Sequence, residues 1–338
     1  MVSMKDISVV CGVSVATVSK ALNGHKDIGE ETKRLVRETA KEMGYFPNSS
    51  ARTLKTNRSY NLGVLMIDEA NSGLTHDHFV MVLESLKVSA ERHGYDITFI
   101  SGSKQRKDKM SYLEHCRYRG LDGVVIACID YDEIEVLELI HSDLPVVTID
   151  HLFNDRTAIM SDNINGMREL FNYVYECGHR KIAYIHGAEN AAVTKNRLHS
   201  FYKIAEEYGL DIPDEYIREA AYRDTVITAL LTNELLDLAD PPTCILFPDD
   251  YAGLGGMNAI KARGLKIPKD ISVAGYDGIR ITKILDPQLT TINQDTKKLG
   301  QYAAEKLIEL IERPKTTFTE HILVPGVLDI GATVSKLK

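Results

Sequence analysis

The sequence is poor in several features that mark specialised protein classes. It has no tryptophan, and its five cysteines are odd in number, widely spaced and never part of a Cys-x-x-Cys pair. That pattern argues against a disulfide framework and favours a reducing compartment. The longest apolar runs, Leu62–Ile67 and Gly123–Ile129, fall well short of the roughly 20 residues of a membrane-spanning helix. An N-terminus with early charges and no apolar h-region predicts a cytoplasmic protein with no membrane partner.

Length and charge indicate the domain organisation. The 338 residues suffice for two or three domains, and the 44 % apolar and 26 % charged residues are typical of soluble globular proteins. The net charge is −8, but residues 1–60 carry +4, which leaves −12 for the remainder. A basic N-terminal module on an acidic body predicts that only the first part contacts a polyanion.

The first 46 residues contain three short amphipathic patterns. Ser3, followed three positions later by Asp6, predicts the start of a first helix with an apolar stripe at Ile7, Val10 and Cys11. A second predicted helix follows and ends at an Asn-Gly pair. A third amphipathic helix pattern then ends before residue 44. Three small helices in this order are typical of a helix-turn-helix whose second helix enters the major groove. A plain three-helix bundle would give the same periodicity.

Five segments make the prediction more specific. They are MKDI at 4–7, GVSVATVSKALN at 12–23, ETKR at 31–34, GYFPN at 44–48 and ARTL at 51–54. Together they resemble the headpiece of the LacI/GalR family of transcriptional regulators. The resemblance implies a DNA-binding headpiece over residues 1–46, in which Val15, Ala16 and Lys20 face base edges. A lysine can donate to guanine, and small apolar side chains can meet a thymine methyl, although Val15 has the alternative of packing in the core. The other contacts predicted here are Ser14, Thr17, Ser19 and Asn23.

Residues 47–60 are predicted to form a hinge. The capped stretch 48–55 is shorter than the about 12–15 residues at which isolated helices become stable, so alone it should be mostly unfolded. The family resemblance implies a helix that orders on DNA, where two copies meet in the minor groove and Leu54 wedges between base pairs. Arg52 and Lys55 suit phosphates, and a flexible linker is the alternative. Paired hinges predict a homodimer on a pseudo-palindromic operator in double-stranded DNA.

The remainder of the chain alternates short β-branched runs with amphipathic patterns. This alternation predicts an α/β core of two doubly wound, parallel-sheet subdomains. The family resemblance implies that the core is periplasmic-binding-protein-like and that the chain crosses between subdomains near 161, 291 and 322. The predicted N-subdomain therefore comprises 61–161 with 292–322, and the predicted C-subdomain comprises 162–291 with 323–338.

An effector site is expected beyond the carboxyl ends of the strands, where doubly wound sheets bind ligands. Among the positions that the resemblance places there, Arg197 and Asp277 can bracket a hydroxyl-rich ligand, and Phe79 or Tyr222 can cover its apolar face. This favours a carbohydrate, with a nucleobase or a small phosphorylated metabolite as alternatives. Val193 departs from the family, which often has Ser or Thr there. The other predicted effector contacts are His78, His151, Asp162 and Asp249.

Three of these positions have ordinary structural alternatives. Arg197 would serve equally in a surface ion pair, Phe79 fits the spacing of a helix core face, and Asp249 can cap the helix that follows it.

Signatures of other functional classes are missing. The sequence contains no phosphate loop, no Gly-x-Gly-x-x-Gly, no His-Glu-x-x-His and no Gly-x-Ser-x-Gly. His76 and His78 have no obvious third ligand nearby, so we predict no metal, no cofactor and no enzymatic activity. An exported solute-binding protein would share the core but not the basic N-terminal module. The predicted function is a sequence-specific transcriptional regulator, most simply a repressor, whose operator affinity responds to a small molecule such as a sugar.

Overall fold

The computed structural model describes residues 2–46, 58–67, 73–100 and 110–337. The chain divides into two compact units, Met1–Ser59 and Tyr60–Lys338, which are considered separately below. The predicted hinge contacts Arg52, Leu54 and Lys55 lie outside the described residues.

The first unit contains three helices, α1 (Met4–Cys11), α2 (Val15–Leu22) and α3 (Glu30–Glu42). The predicted capping box is present, since the Ser3 hydroxyl accepts from the backbone of Asp6 and the Asp6 carboxylate accepts from the backbone of Ser3. Gly12 ends α1 with a φ of 65°, a left-handed conformation that favours glycine. The helices enclose a small apolar core of Ile7, Val18, Ala21, Val36 and Ala40.

The predicted stripe of α1 is wrong at one position. Val10 is 63 % exposed, whereas Ile7 is fully buried and Met4 and Cys11 pack beside the core. The buried face therefore runs through positions 4, 7 and 11. With only two turns, the helix presents this narrow face to α2 and α3, and Val10 falls outside it.

The second unit is an α/β structure with twelve strands and eight α-helices among its described residues. The strands are β1 (Asn61–Met66), β2 (Asp96–Phe99), β3 (Gly123–Ala127), β4 (Val146–Ile149), β5 (Thr157–Ser161), β6 (Ile182–His186), β7 (Ile217–Glu219), β8 (Cys244–Leu246), β9 (Ser272–Asp277), β10 (Thr290–Asn293), β11 (His321–Val324) and β12 (Val327–Asp329). The helices are α4 (Asp77–Arg92), α5 (Tyr112–Arg119), α6 (Ile134–Ile140), α7 (Asn163–Glu176), α8 (Ala192–Glu207), α9 (Thr225–Leu236), α10 (Asp250–Ala262) and α11 (Thr296–Glu312). Short 3₁₀ helices cover Gly73–Thr75, Asp214–Tyr216 and Arg280–Ile284.

The strands form two six-stranded sheets with matching orders, β11-β5-β4-β3-β1-β2 and β12-β10-β9-β8-β6-β7. All neighbours are parallel except β10 and β12. Strands such as β3 are buried along their whole length, as expected when helices cover both faces of a parallel sheet. We call the first sheet with α4, α5, α6 and α11 the first lobe, and the second sheet with α7–α10 the second lobe. The predicted α/β core of two parallel-sheet subdomains is confirmed.

The first predicted crossing, near 161, coincides with the end of β5 at Ser161, and the other two fall close to their predicted positions. β10 lies entirely in the second sheet and ends at Asn293, and β11 lies entirely in the first sheet and ends at Val324. The second and third crossings therefore come two residues later than 291 and 322. Hydrogen-bonded pairing fixes where each strand ends, and apolar patterning alone does not mark that point.

Two short edge strands, β7 and β12, were not predicted. Each has three residues, too few for an alternating pattern to emerge. Among the described residues, no helix combines the length and apolar character that a bilayer crossing requires.

Candidate functional site

The first candidate site is the outward face of α2. The Ser14 hydroxyl accepts from the backbone N–H of Thr17 at 3.0 Å and lies 2.9 Å from the Thr17 hydroxyl. This cap fixes the start of the helix. Val18 and Ala21 point into the core and are fully buried, so the opposite side of α2 faces outward.

The three predicted base contacts lie on that outward side. Val15 is 44 % exposed, and Ala16 and Lys20 are exposed as well. The alternative that Val15 packs in the core is wrong, because other residues of α2 occupy the core positions. The arrangement exposes two small apolar side chains and one cation on one side of the helix, and their assignment to DNA stays a prediction.

Lys20 already has a partner within the headpiece. Its Nζ donates to a carboxylate oxygen of Asp27 at 2.5 Å, and this hydrogen bond lowers the pKa of Asp27. Both side chains are about half exposed, and exposed pairs of this kind contribute little to stability. Lys20 can therefore exchange its carboxylate partner for a base edge.

Asn23 is committed to the end of the same helix. Its side-chain amide donates to the carbonyl of Ser19 at 2.6 Å, which satisfies one of the last free carbonyls of α2. Ser19 is half buried, so the predicted roles of both residues near DNA remain predictions.

The second candidate site is a cavity of about 210 Å³ between the lobes. Its lining comes from the carboxyl ends of strands in both sheets. Ile67, Cys128 and Asp150 follow β1, β3 and β4, while Ala188 follows β6 and Asp277 ends β9. This is the location at which doubly wound sheets bind ligands.

A buried arginine forms one wall. Arg197, on α8, is 3 % exposed, which excludes the surface ion-pair alternative. Its Nε donates to Asn163 Oδ1 at 2.7 Å, its Nη1 donates to the Pro248 carbonyl at 2.8 Å, and its guanidinium carbon lies 3.6 Å from the ring centroid of Tyr276. The remaining nitrogen, Nη2, lies 3.9 Å from Asp277 Oδ1. The guanidinium is thus held rigidly, with one edge toward Asp277.

Asp277 combines burial with an unusual backbone conformation. Its φ is 108°, a region that L-residues rarely adopt. Its Oδ1 accepts from Gln294 Nε2 at 2.6 Å. Burial raises the pKa of Asp277 to about 6, although the nearby Arg197 opposes this rise. Asp277 is therefore held in a strained backbone conformation and in a buried position that disfavours its charge. Strain of this kind is common at ligand sites.

Two buried polar atoms on the cavity wall have no hydrogen-bond partner among the described residues. They are His78 Nδ1 and Gln294 Oε1, in side chains that are 4 % and 7 % exposed. Burial lowers the pKa of His78 to about 4, so its imidazole is neutral at pH 7. Unsatisfied buried groups are rare and costly, and both of these border a space that a ligand can fill.

Aromatic rings of the first lobe also line the cavity. Tyr131 and His151 stack with centroids 4.0 Å apart and an interplanar angle of 20°, and Phe153 packs against His151 at 4.8 Å. Phe79 lies edge-on to His76 at 4.9 Å. Phe79 belongs to the apolar core and also lines the cavity, so both of its predicted roles are compatible with the structure.

Backbone strain is concentrated around the cavity. Five non-glycine residues of the described chain have positive φ, and four of them line this space. Such conformations disfavour L-residues and cluster at ligand sites in proteins. The four are Cys128, Asp150, Arg223 and Asp277.

Two predicted effector contacts are absent from the lining. Asp162 caps α7 by accepting from Asn165 N at 3.1 Å. Asp249 caps α10 by accepting from Ala252 N at 2.8 Å and also accepts from Arg223 N at 2.7 Å. For Asp249 the capping alternative is the one that the structure supports, because its oxygens are used by backbone donors.

The other predicted contacts line the cavity together. Tyr222 lines the cavity, and its hydroxyl lies 2.8 Å from the Thr194 hydroxyl. Thr194, which follows Val193, therefore helps to position Tyr222. The side chains brought together are those of His78, Phe79, His151, Arg197, Tyr222 and Asp277.

Three important lining residues were not predicted. Tyr131 and Gln294 follow β3 and β10 closely, so the rule that ligands bind after strand ends would have found them. Arg223 follows β7, a strand that the sequence pattern did not reveal.

The His-Asp-His segment is used for structure. Within the described residues, no group of three or more His, Cys, Asp or Glu side chains is arranged to hold a metal ion. His76 caps α4 through a long contact with Phe79 N, and Asp77 forms an ion pair with Arg223.

Comparison with known proteins identifies the family. Residues 3–48 match the lacI family of bacterial regulatory proteins, and residues 171–334 match a periplasmic binding protein-like domain. The probable HTH-type transcriptional repressor ExuR of Bacillus subtilis is 30 % identical over 318 residues, covering 94 % of this chain and 93 % of that protein. The chain belongs to the LacI family. A second LacI-family relative, the HTH-type transcriptional repressor PurR of Mannheimia succiniciproducens, is 29 % identical over 100 % of both chains.

Solved structures show the same LacI-family fold. The Lac repressor dimer bound to operator and the anti-inducer ONPF has a TM-score of 0.85 at 24 % identity, with 99 % of each chain covered. The CelR–cellobiose complex has a TM-score of 0.70 at 22 % identity, covering 98 % of this chain and 100 % of that one. A LacI family regulator from Enterococcus faecium with bound ribose has a TM-score of 0.71 at 22 % identity, covering 82 % and 100 %.

These findings establish the general function. The protein is a DNA-binding transcriptional repressor of the LacI family, and its relatives are repressors rather than enzymes.

Proposed function

We propose that this repressor is controlled by a small, neutral, hydroxyl-rich ligand, most simply a sugar, bound in the cavity between the lobes. The observation that carries the proposal is a cavity lining that combines buried polar groups with aromatic rings. Arg197 and Asp277 can hold adjacent hydroxyls through charge-assisted hydrogen bonds. His78 Nδ1 and Gln294 Oε1 supply two further unused polar atoms, and the rings of Tyr131 and His151 offer an apolar face.

The charge of the lining favours a neutral ligand over an acidic one. Four carboxylates border the cavity, and one of its two arginines, Arg223, is already paired with Asp77. A carboxylate or phosphate on the ligand would meet this excess of like charge in a poorly solvated space. The four lining aspartates are Asp130, Asp132, Asp150 and Asp277.

Two structural neighbours lend support. One is described with cellobiose and another with ribose, and both are neutral sugars. Because the chain has no tryptophan, the stacked Tyr131 and His151 are the described rings best placed to meet the apolar face of such a ligand.

The test is a thermal-shift panel on the full-length protein. Ribose, cellobiose and other neutral sugars are compared with glucuronate, glucose 6-phosphate and free nucleobases. A ligand that binds only the folded state raises the melting temperature by mass action. We expect at least one neutral sugar to do so and the charged sugars to be inactive. A shift confined to charged sugars or nucleobases would contradict the proposal.

A matched pair of variants locates the binding site. Gln294→Met removes the free acceptor from the cavity, together with the Nε2 donor to Asp277, at similar side-chain size. Gln301→Met makes the same change on α11 outside the cavity lining. The ligand-induced shift should fall in the first variant and persist in the second.

We also propose that the protein acts as a homodimer. Exposed apolar side chains of the second lobe are concentrated on α9 and α10, which pack against each other, and on the 3₁₀ helix Arg280–Ile284; we call these side chains the apolar patch. A two-fold assembly through this patch would present two headpieces to the halves of a pseudo-palindromic operator. The patch comprises Val226, Ile227 and Leu230 on α9, Tyr251 on α10, and Ile281 and Ile284.

The dimer is tested by light scattering coupled to gel filtration. Leu230→Asp should yield monomers, because it places a charge among the side chains of the apolar patch. Leu323→Asp makes the same substitution at a 63 % exposed leucine on β11 and should leave the dimer intact.

Operator binding and the hinge are tested together. After site selection from random DNA, gel shifts with and without the active sugar should differ by a coupling of about 1–3 kcal/mol. Residues 47–60 are proposed as the hinge. Leu54→Ala should weaken binding to the selected site far more than to random DNA, because a kink belongs only to the specific complex. Equal losses on both DNAs would contradict the wedge.

A further inference from the structure

One ion pair of the described residues spans the cleft between the lobes. Arg223 follows β7 in the second lobe, and Asp77 begins α4 in the first. Arg223 Nη1 lies 3.0 Å from Asp77 Oδ2, and Nη2 donates to the Thr75 carbonyl at 3.2 Å. A single side chain thereby contacts both the end of a 3₁₀ helix and the first turn of a long helix across the cleft.

The position of this arginine is fixed from its own lobe. Its backbone N–H donates to Asp249 Oδ2 at 2.7 Å, which holds a φ of 63° that arginine would otherwise avoid. Its guanidinium carbon lies 4.3 Å from the ring centroid of Tyr251, and the side chain is only 11 % exposed. A strained backbone, a buried carboxylate and an aromatic ring therefore direct the guanidinium toward the opposite lobe.

The ion pair also borders the cavity. Arg223 is a lining residue, and so is His76, which immediately precedes Asp77. We propose that Arg223 is a positioning residue that holds the cleft closed over the cavity, so that a ligand enters or leaves only when the Arg223–Asp77 pair breaks. This inference rests on the proposed function only in treating the cavity as the ligand site. Arg223 stacks on Tyr251, which belongs to the apolar patch proposed for dimerisation. Opening of the cleft would therefore also change the surroundings of that patch.

Cys128 provides a reporter that needs no ligand. It lines the cavity and is partly accessible, whereas Cys177 and Cys244 are buried in the core of the second lobe. A reagent such as iodoacetamide should reach Cys128 faster when the cleft is open than when it is closed. Mass spectrometry of the full-length protein after timed labelling gives the rate for each cysteine separately.

The experiment compares Arg223→Gln with Arg168→Gln. The control breaks a two-bond ion pair between Arg168 and Glu207 that lies wholly within the second lobe. We expect labelling of Cys128 to become about threefold to tenfold faster in Arg223→Gln and to stay unchanged in the control. Asp77→Asn should reproduce the increase, and the double variant Asp77→Asn/Arg223→Gln should add nothing further.

Other outcomes would overturn the inference. An unchanged Cys128 rate in Arg223→Gln would show that the pair does not close the cleft. A parallel rise at Cys177 and Cys244 would indicate general loosening of the lobe instead. Additive effects of the two substitutions would show that the residues do not act on each other. No sugar is present in the assay, so failure of the ligand panel and failure of this inference are separate results.

Discussion

The outward face of α2 carries its predicted DNA contacts within ten consecutive residues, whereas the cavity collects side chains from residue 67 to residue 294. The first surface is made by one capped helix, and the second requires strand ends from two sheets to meet. Local sequence therefore encodes this predicted set of contacts on α2 almost completely. The cavity exists only once the whole core has folded.

The two regions also differ in how they hold charge. In the headpiece, Lys20 and Asp27 pair in water, where either partner can be exchanged with little loss. In the cavity, Arg197 and Asp277 are buried, and burial raises the pKa of Asp277 to about 6. A solvent-exposed charged side chain can readily exchange one binding partner for another. A buried charged pair is already oriented toward one kind of ligand.

The largest expected effect is the unfolding of the headpiece while the core stays folded. Ile7→Ala removes a fully buried side chain from a core of few residues and should destabilise the headpiece by about 2–5 kcal/mol. Calorimetry should show an unchanged core transition, while gel shifts show loss of operator binding. The control is Val9→Ala, at a position 76 % exposed in the same helix. Loss of the core transition in Ile7→Ala would mean that the units do not unfold separately.

A second prediction concerns the strain in the cavity. Asp277→Asn should raise the free energy of unfolding at pH 7 by roughly 2–3 kcal/mol, because asparagine tolerates the same φ and carries no buried charge. The ligand-induced thermal shift should disappear. Denaturant titrations measure the first effect, and Asp211→Asn, at an exposed position, is the control.

The pH dependence sharpens this prediction. The raised pKa means that the folded protein holds a proton on Asp277 up to about pH 6, above the ordinary aspartate pKa of 3.8. Its stabilising contribution is thus fully present below pH 3.8 and is lost as the pH rises through 6. The advantage of Asp277→Asn should accordingly be largest at pH 7 and fade toward pH 4. An advantage independent of pH would point to backbone strain alone.

A third prediction tests recognition by the headpiece. Lys20→Ala should change the preferred base at one position in each half-site, with a loss of discrimination of about 1–3 kcal/mol. Asp27→Ala should leave the preferred sequence intact and strengthen binding to random DNA, because it frees the Lys20 cation. Site selection followed by sequencing distinguishes the two outcomes. An unchanged profile in Lys20→Ala would remove this residue from base readout.

The smallest expected effect compares two helix caps. Ser3→Ala and Ser14→Ala each remove an N-cap and should each destabilise the headpiece by about 1 kcal/mol. Only Ser14 lies at the start of α2. Operator affinity measured well below the melting temperature should therefore fall in Ser14→Ala and not in Ser3→Ala. Equal affinities would limit Ser14 to a structural role.

Much of the fold was predictable because its signals are local. The capping box at Ser3, the helix break at Gly12 and the apolar runs of the central strands all act within a few residues. The assignment of β10 and β11 to different sheets was accessible only through family resemblance. The resemblance placed the second and third crossings two residues too early. The local sequence pattern of a strand does not indicate which sheet the strand joins.

The cavity was only partly predictable for the same reason. Arg197 and Asp277 were predicted through the resemblance, but Arg223 was not, because the strand that positions it is too short to leave a pattern. Asp249 illustrates a further limit. An aspartate before a helix looks the same whether it caps the helix or binds a ligand, and only the directions of its hydrogen bonds distinguish the two.

The conformation of Asp277 has a consequence for the evolution of this protein. Screening mutant libraries for heat resistance alone should repeatedly recover Asn or Gly at this position, since neither carries the carboxylate and glycine also accepts a φ of 108° more easily. Such survivors would still repress but would no longer respond to the proposed ligand. Retention of aspartate in descendants that face fluctuating nutrients would then mark continued selection for responsiveness at the expense of robustness.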